Sequence, residues 1–600
     1  MKKYNLTNKL LGWGVFLVAS VVFLLTAEPT ASWWDCGEYI ATTAKLEVGH
    51  PPGAPTFQII GRIFAMFAMD KTQIAYTVNA MSAISSGLTI MFLFWSITML
   101  ARKFIKKGEQ MTTAQMIAIF GSGLVGSLAY AFSDTFWYSA VEGEVYAMSS
   151  FFTAVTFWAI LKWESQADDK HNLRWLILIA FLIGTTIGVH LLNLLTIPAI
   201  VYVYYYKKFK TTKKGLFWAG VLSVVIVGLV MYFIIPGIIK TASKFEIFFV
   251  NSMGMPFNSG TVVFFVLLIG LIVWGLLYSK KKQKPVFNTI VLSFAFFLIG
   301  YSTFATIIIR ANSNTPINEN APQDAISLLS YFNRDQYGSS PLFYGNYYNA
   351  PVTGTKKGSN KYIKDTANNQ YIPVRQQGEY EFNNDYCTIF PRMYSKDSSR
   401  PHEAWYKLFT GINGDRKPTF GENLTYFFRY QVNHMYWRYF MWNFAGKQND
   451  IQNYGLNYEG NNPESPSNGT KDVLHGNWIT GIDFIDAMRL GPQSNMPPDL
   501  ANNKAKNRLF CLPLLLGVAG LIFHIKRRKK DAFVVFLLFF MTGLAIVIYL
   551  NQPPTQPRER DYAYAGSFYA FAIWIGLGVY GLYEWLRKVK IAENIKAIGI

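Results

Sequence analysis

Residues 33–57 read WWDCGEYIATTAKLEVGHPPGAPTF, which places two carboxylates, a histidine and a Pro-Pro-Gly turn directly after a hydrophobic segment. A tryptophan pair suits the boundary between bilayer and water, where a membrane helix ends. Asp35 and Glu38 are three positions apart, so a helix that begins at Trp33 carries both carboxylates on one face. Asp35 as the cap of a surface helix is the simpler interpretation, and it is compatible with a chemical role.

The whole chain has the composition of a membrane protein. Of its 600 residues, 51% are hydrophobic, 17% are aromatic and only 15% are charged, which is more apolar surface than one soluble core can bury. The formal net charge is +20, but residues 310–506 contain 20 basic and 18 acidic residues, so the surplus lies elsewhere. We therefore expect no nucleic-acid partner. The three cysteines have neither metal-ligand spacing nor a disulfide pattern.

Twelve hydrophobic segments are predicted to span the membrane. They are residues 10–25, 76–100, 116–132, 146–163, 175–189, 191–206, 216–238, 262–278, 287–309, 510–523, 532–550 and 567–586. With the N-terminus inside, every basic run falls on the cytoplasmic side, as the positive-inside rule requires; the runs are 2–3, 102–107, 207–214, 280–284, 526–530 and 587–590. The first segment also fits a cleavable signal peptide, although we favour an anchor. The close pair around His190 also fits a re-entrant hairpin.

We predict a mainly α, multi-pass protein of the cytoplasmic (inner) membrane in three parts. Residues 1–309 form an N-terminal transmembrane module with outer loops at 27–74 and 133–146, and short helices are expected in the first loop. Residues 310–507 lack a span-length apolar run and form a mixed α/β extracytoplasmic domain, with helices at 326–332 and 473–490. Residues 508–600 form a C-terminal transmembrane module.

One stretch of the extracytoplasmic domain is unusually aromatic. Residues 426–444 read YFFRYQVNHMYWRYFMWNF and carry aromatic side chains on all sides of a helix. Such a segment either forms the core of the domain or rests on the outer membrane surface.

The outer ends of the predicted spans collect acids, histidines and arginines on one membrane face. The first outer loop contains the candidates Asp35, Glu38 and His50, and the second outer loop contains Glu142, Glu144 and Tyr146. The bend between two spans contains His190, and the last outer loop contains Arg558, Arg560 and Asp561. Each set also has a plain structural interpretation. The two glutamates can be solvated, the histidine can be an interior one, and the run 558–561 can be paired within itself.

Taken together, these residues fit a site for a membrane-tethered anionic substrate. The planar fork of Arg558 or Arg560 matches phosphate oxygens and can hold a leaving phosphate whose lipid tail lies among the helices. A carboxylate such as Asp35 can then take the proton from an acceptor hydroxyl that attacks a sugar carbon. This hypothesis requires Asp35 and the 558–561 turn to meet in one groove on the non-cytoplasmic side of the membrane.

The segments WWDCGEYI, EVGHPPGAP, EGEVY and RERDYAYAGSF resemble the GT-C membrane glycosyltransferases, and more specifically a bacterial family related to the animal plexin-domain protein O-mannosyltransferase. The resemblance implies a polyprenyl-phosphate-linked sugar donor and inversion at the sugar centre. It places Asp35 at the catalytic acidic position, with Glu38, His50, Glu142 and Glu144 as supports or acceptor contacts. From their place on the same membrane face we further expect Glu38 to take part in catalysis and His50 to join Arg558 and Arg560 at the donor phosphate. Tyr146, His190 and Asp561 are expected to support the site or contact the acceptor. Some lipid-oligosaccharide transferases hold a divalent metal with loop acids, so Mg or Mn bound by Asp35 with Glu142 or Glu144 is a further expectation.

The expected reaction is sugar transfer to Ser or Thr hydroxyls of exported proteins. A close variant transfers the sugar to a lipid or an envelope glycan. Two other classes compete with it: a transporter or flippase, which carries charged residues at mid-membrane, and a scaffold of a secretion apparatus, for which Asp35 would be dispensable.

Overall fold

The computed structural model describes residues 2–106, 108–337, 340–358, 360–376, 378–395, 402–458 and 466–587. Residues 588–590 of the last predicted basic run lie outside the described residues.

Helices dominate the first half of the chain. They are α1 (Lys2–Leu25), α2 (Cys36–Lys45), α3 (Pro55–Ala65), α4 (Ile74–Arg102), α5 (Thr113–Ala131), α6 (Asp134–Ala140), α7 (Val145–Ser165), α8 (Leu173–Ile187), α9 (Ile197–Lys208), α10 (Lys213–Gly228), α11 (Ile235–Ile247), α12 (Ser259–Lys281), α13 (Pro285–Tyr301) and α14 (Ala305–Ala311). A 3₁₀ turn, Leu191–Thr196, precedes α9, and π-helical turns at Leu229–Ile234 and Phe248–Ser252 follow α10 and α11.

The second half alternates short helices with small sheets and ends in four more apolar helices. The helices are α15 (Ala325–Asn333), α16 (Glu403–Thr410), α17 (Phe420–Tyr426), α18 (Arg438–Phe444), α19 (Asp483–Leu490), α20 (Pro498–Ala501), α21 (Leu512–Arg527), α22 (Lys529–Met541), α23 (Leu544–Leu550) and α24 (Ala565–Leu586). A π-helix, Phe427–Trp437, joins α17 to α18, and a 3₁₀ turn, Asp561–Tyr564, leads into α24.

The strands form five separate two-stranded antiparallel sheets in the described part of the chain. They are β1 (Tyr344–Asn346) with β6 (Cys387–Ile389), β2 (Val352–Lys356) with β5 (Glu379–Phe382), β3 (Asn360–Asp365) with β4 (Gln370–Arg375), β7 (Gly446–Lys447) with β10 (Asn507–Arg508), and β8 (Leu456–Tyr458) with β9 (Pro466–Lys471). The region predicted as a mixed domain therefore has strands and helices without one continuous sheet.

Nine helices within the described residues are long and apolar enough to cross a membrane. They account for nine of the twelve predicted spans, and the chain is a multi-pass membrane protein. The other three predicted spans, 175–189, 191–206 and 510–523, fall on the shorter helices α8, α9 and α21, so the number twelve stays a prediction. The first outer loop contains the short helices α2 and α3, as expected.

The C-terminal helix α24 lies at the centre of the bundle, with most of its side chains buried. Small residues let neighbouring backbones approach it closely. A β-carbon at Gly520 of α21 would collide with the carbonyl of Trp574, and one at Gly126 of α5 would lie 2.9 Å from Gly576. At the end that carries the basic runs, Lys103 bridges Glu164 (2.6 Å) and Asp531 (2.8 Å), and so joins three helices.

The aromatic run 426–444 is mostly core. Tyr426, Tyr436 and Phe444 are fully buried, whereas Phe428 and Trp437 are exposed. The predicted helix at 326–332 is confirmed by α15. The predicted helix at 473–490 is wrong for its first ten residues, because only Asp483–Leu490 is helical. The buried carboxylate of Asp486 accepts hydrogen bonds from the preceding loop and fixes that loop outside the helix.

Candidate active site

Asp35 stands directly before the first helix of the outer loop. Helix α2 begins at Cys36, but the Asp35 carboxylate accepts no capping hydrogen bond from it. The side chain is 51% exposed, and its Oδ2 lies 3.5 Å from Nη2 of Arg558. Asp35 therefore stands at the cap position of α2, but its carboxylate does not act as a cap.

Arg558 is the hub of the site. Its Nη1 donates to Oε1 of Glu144 at 3.0 Å, its Nη2 reaches Asp35, and its Nε donates to the hydroxyl of Tyr562 at 3.2 Å. Burial lowers the pKa of Arg558, but Tyr562 and Glu144 raise it by more, so the guanidinium stays charged. One side chain thus joins the first, second and last outer loops.

The two acids of the second loop are both buried. Glu144 is 1% exposed; burial raises its pKa and the charge of Arg558 partly opposes the rise. Burial and the neighbouring charge of Glu144 raise the pKa of Glu142 to about 7, although Ser32 donates a 2.6 Å hydrogen bond to its Oε2. The interpretation of these two residues as solvated acids is wrong, and Glu142 titrates near neutral pH.

Glu38 is paired with His50. Its Oε1 accepts the backbone N–H of His50 at 2.6 Å, and its Oε2 lies 3.0 Å from Nδ1 of the same histidine. The hydrogen bond to Glu38 raises the pKa of His50. Burial raises the pKa of Glu38, but its bonds with His50 lower it by more. The two shifts both favour a charged Glu38–His50 pair, since each partner stabilises the charge of the other.

Three aromatic rings in tilted contact, those of Tyr562, Tyr146 and His190, extend the site inward from the arginines. The Tyr562 hydroxyl also accepts a 2.6 Å hydrogen bond from Nη1 of Arg560. Its ring lies 4.2 Å from that of Tyr146, and Tyr146 lies 5.5 Å from His190 between ring centres. Nδ1 of His190 accepts from the N–H of Leu192 at 3.2 Å, and burial lowers the pKa of His190 to about 4. His190 is thus a neutral histidine that caps a turn and supports Tyr146.

Tyr146 and Tyr562 also line a small cavity of about 20 Å³ between α5, α7, α23 and α24. Six further hydroxyl-bearing residues line it, namely Tyr130, Ser149, Ser150, Thr153, Thr542 and Tyr569. A cavity of this size has room for about one water molecule.

The run 558–561 is split between two environments. Arg558 and Arg560 contact Tyr562, whereas Glu559 contacts Arg438 and Tyr439 of the 427–444 helical segment and Asp561 contacts α6. Glu559 accepts from Arg438 at 2.6 and 3.0 Å, and Asp561 accepts from the hydroxyl of Thr135 at 2.6 Å. These four residues form no ion pair with one another, so the self-paired interpretation is wrong. Asp561 makes no contact with Arg558 and lies on the far side of the turn.

Asp134, in the same loop as Glu142 and Glu144, is the first residue of α6. Its carboxylate forms a 2.6 Å ion pair with Lys447 of strand β7.

Among the described residues, no three His, Cys, Asp or Glu side chains are arranged so as to hold a metal ion. Of the acids expected to bind Mg or Mn, Glu144 is paired with Arg558 and Glu142 with Ser32. The guanidinium of Arg558 lies between two of these acids, Asp35 and Glu144.

Several residues of the site were not predicted from the sequence. Tyr562, whose hydroxyl takes hydrogen bonds from both arginines, lies inside the quoted RERDYAYAGSF segment. A tyrosine in a polar loop directly before a span was the signal that could have found it. Ser32 and Arg438 carry no comparable signal, because their partners are more than one hundred positions away.

Comparison with known proteins bears on the loop that contains Asp35. Residues 35–213 match the family model of the protein O-mannosyl-transferase TMEM260 N-terminal domain. This part of the chain is similar to that family. Residues 338–428 match DUF8416, a family of unknown function. The match to the TMEM260 N-terminal domain begins at Asp35 and contains Glu38, His50, Glu142 and Glu144, whereas Arg558 lies outside it.

Two relatives match part of the chain. The protein O-mannosyl-transferase tmem260 of Dictyostelium discoideum is 25% identical over 142 residues, which are 24% of this chain and 15% of the relative. The protein O-mannosyl-transferase TMEM260 of Mus musculus is 23% identical over 174 residues, which are 29% of this chain and 22% of the relative. The chain therefore spans less than a quarter of either relative. The expected resemblance to membrane O-mannosyltransferases is confirmed.

Proposed function

We propose that the protein is an inverting glycosyltransferase of the GT-C type. It moves a sugar from a polyprenyl-phosphate-linked donor to Ser or Thr hydroxyls of exported proteins at the outer face of the cytoplasmic membrane. The observation that carries the proposal is the contact between Arg558 and Asp35, which are 523 positions apart in the chain. The relatives' name, protein O-mannosyl-transferase, supports mannose as the sugar and protein as the acceptor.

Asp35 is the general base of this reaction. It takes the proton of the acceptor hydroxyl while the hydroxyl oxygen bonds to C1 of the sugar. The bond between C1 and the phosphate oxygen breaks, and the phosphate leaves with the electron pair. Asp35 suits this role because its carboxylate is half exposed, whereas Glu142 and Glu144 are buried. A positioned base contributes roughly 10² to 10⁴ in rate.

Arg560 and His50 bind the donor phosphate. Arg560 forms no ion pair with a carboxylate among the described residues, so the charge of its guanidinium is not neutralised by the protein. The His50 imidazolium uses Nδ1 for Glu38 and keeps Nε2 for a ligand oxygen. Arg558 holds Asp35 and Glu144 in place, and its Nη2 can pass from Asp35 to a phosphate oxygen because that contact is long and exposed.

With its phosphate on Arg560, the donor places its sugar beside Tyr562, whose hydroxyl accepts hydrogen bonds from both arginines. Glu142, Glu144 and Tyr146 support the loop, and Asp561 acts through Thr135 at the base of α6.

The decisive experiment replaces Asp35 with Asn and measures mannose transfer from a polyprenyl-phosphate donor in membranes. We expect a loss of roughly 10² to 10⁴. Asp70→Asn is the matched control, because Asp70 is an exposed carboxylate of the same loop that caps a turn and retains that function as Asn. Unchanged transfer in Asp35→Asn removes the base and, with it, the proposed mechanism.

The acceptor is tested with the same membranes. Labelled sugar in exported proteins, released by β-elimination, supports Ser or Thr acceptors. Label confined to a lipid or envelope glycan contradicts the protein acceptor but leaves the role of Asp35 intact.

A further inference from the structure

Helix α19 turns two large apolar side chains outward and buries one of its two acids. Phe484 and Met488, one turn apart, are 70% and 77% exposed. Asp486 is buried and accepts the backbone N–H groups of Thr480 (2.7 Å) and Gly481 (2.9 Å). Two large apolar side chains exposed one turn apart favour an apolar surrounding on that side of the helix.

The exposed side of α19 continues onto the surface of α21. The ring of Phe510 lies against Gly481, where a β-carbon would meet it at 3.3 Å. Leu512 and Leu515 at the start of α21 are exposed, and Ile522 continues the stripe along that helix. This stripe is the outward-facing side of a predicted span, so α19 lies at the outer end of a surface that faces lipid.

A second apolar face lies on the π-helix Phe427–Trp437. Phe428 and Trp437 are exposed and are separated by about two turns, which puts them on one side. Trp437 stacks on Phe440 with ring centres 5.0 Å apart, and Phe440 contacts Phe539 of α22 at 6.0 Å. Because α22 belongs to a candidate span, this face also lies beside a lipid-facing helix.

A third face surrounds the strand pair β1–β6, where Phe343 and Ile389 are 81% and 65% exposed. The pair is fixed to the outer end of α23. Asn551, the residue after α23, donates to the carbonyls of Pro341 and Pro391 at 2.8 Å each. Pro341 precedes Phe343 by two residues, and Pro391 follows Ile389 by two residues. Its exposed side chains are thus held at the level where a candidate span leaves the membrane.

We propose that these three faces seat the extracytoplasmic domain on the outer leaflet of the bilayer. Soluble surfaces rarely expose contiguous apolar patches of this kind, and aromatic side chains favour the boundary between headgroups and acyl chains. Each face continues the lipid-facing side of a different helix, α21, α22 or α23, and this continuity identifies lipid as the occupant. The proposal does not depend on which group the site transfers.

The β2–β5 strand pair provides the contrast within the same part of the chain. Tyr380 is 48% exposed, but its strand neighbours are Glu379 and Glu381, and it pairs with Thr355. A strand with charges on both sides of an exposed ring is typical of a surface in water.

The test places the photoreactive amino acid benzoylphenylalanine at Phe484, Trp437 or Phe343 of the full chain in phospholipid nanodiscs. After illumination, lipid adducts are quantified by mass spectrometry. We expect adducts at these positions to exceed those at the control position Tyr380 by at least about tenfold, because lipid contacts only the seated faces. Phe428 is a second position on the face of Trp437, so a variant that fails to fold leaves that face testable.

Two results overturn the proposal. Lipid adducts at the level of the Tyr380 control mean that the faces meet water. Cross-links to a second copy of the chain or to another protein, in place of lipid, mean that the faces are protein interfaces.

Discussion

Two arginine–glutamate pairs meet at the last outer loop, and they are built differently. Arg438 and Glu559 form a closed pair: both hydrogen bonds are short (2.6 and 3.0 Å), and Glu559 also accepts from the hydroxyl of Tyr439 at 2.5 Å. Arg558 and Glu144 form an open pair. The same guanidinium extends to Asp35, a carboxylate that is 51% exposed.

The same two residue types thus have a structural role in the closed pair and a chemical role in the open pair. Every oxygen of the closed pair is used inside the protein, so that pair fastens the helix that carries Arg438 to the turn before α24. The open pair leaves the Asp35 carboxylate half exposed, where a substrate can reach it. Arg558 and Glu559 are adjacent in sequence, and one turn therefore supplies both functions.

The largest expected effect comes from opening the closed pair. Arg438→Met leaves Glu559, which is 19% exposed, without its buried cation, and breaking such a pair costs about 3–5 kcal/mol of the free energy of unfolding. The measurement is thermal unfolding of the purified protein in detergent.

Arg416→Met is the control for that variant. Arg416 forms an exposed ion pair with Glu422, and such pairs contribute about 0–1 kcal/mol. Equal destabilisation by both variants would contradict the view that the Arg438 pair fastens the domain.

The next effect is a pH dependence that originates at Glu142. Its pKa in the folded protein, about 7, lies above the ordinary value of 4.5, so folding favours the protonated form. That contribution is fully present below about pH 4.5 and is lost as pH rises through about 7, an amount on the order of 3 kcal/mol. Glu142→Gln is therefore expected to be more stable than the native chain at pH 8 and equal to it at pH 4.5.

The comparison is made by thermal unfolding across this pH range. Glu109→Gln, which changes an exposed glutamate, is expected to follow the native chain at every pH. A Glu142→Gln curve parallel to the native one would mean that Glu142 does not titrate near neutral pH.

A smaller effect is expected from loosening the open pair. Glu144→Gln removes the charge that holds Arg558, so the guanidinium shifts toward Asp35 and misplaces the base. Small displacements of this kind cost about 10² in rate, and we expect the loss in kcat with little change in KM. Steady-state transfer assays measure both constants. The proposal of a positioning role fails if KM alone rises or if Glu28→Gln, in the same outer region, has the same effect.

Much of the fold followed from the sequence because bilayer physics leaves few choices. Span-length apolar runs and the basic runs beside them predicted a multi-pass helical protein. The shorter helices α8, α9 and α21 show where the pattern is weak, since a run of apolar residues does not say where a helix ends. The loop before Asp483 was missed because Asp486 fixes it through bonds that no helical periodicity encodes.

The candidate site was predictable in composition but not in pairing. Acids and arginines at the outer ends of the spans indicated that Asp35 and the 558–561 turn share one face. Which residue of that turn contacts Asp35 depends on the direction of the backbone. In the structure Arg558 contacts Asp35, whereas Asp561 contacts Thr135. The burial of Glu142 and Glu144 was equally hidden, because a glutamate beside glycine has the sequence appearance of a solvated loop.

The central claim is that Asp35 and Arg558 act as one unit. A double-mutant cycle of sugar transfer tests it, with Asp35→Asn, Arg558→Lys and the two combined, since lysine keeps a charge for Glu144 but lacks the fork that also reaches Asp35. We predict that the double variant is no slower than Asp35→Asn alone. If the two losses multiply, the residues act independently and the account is contradicted.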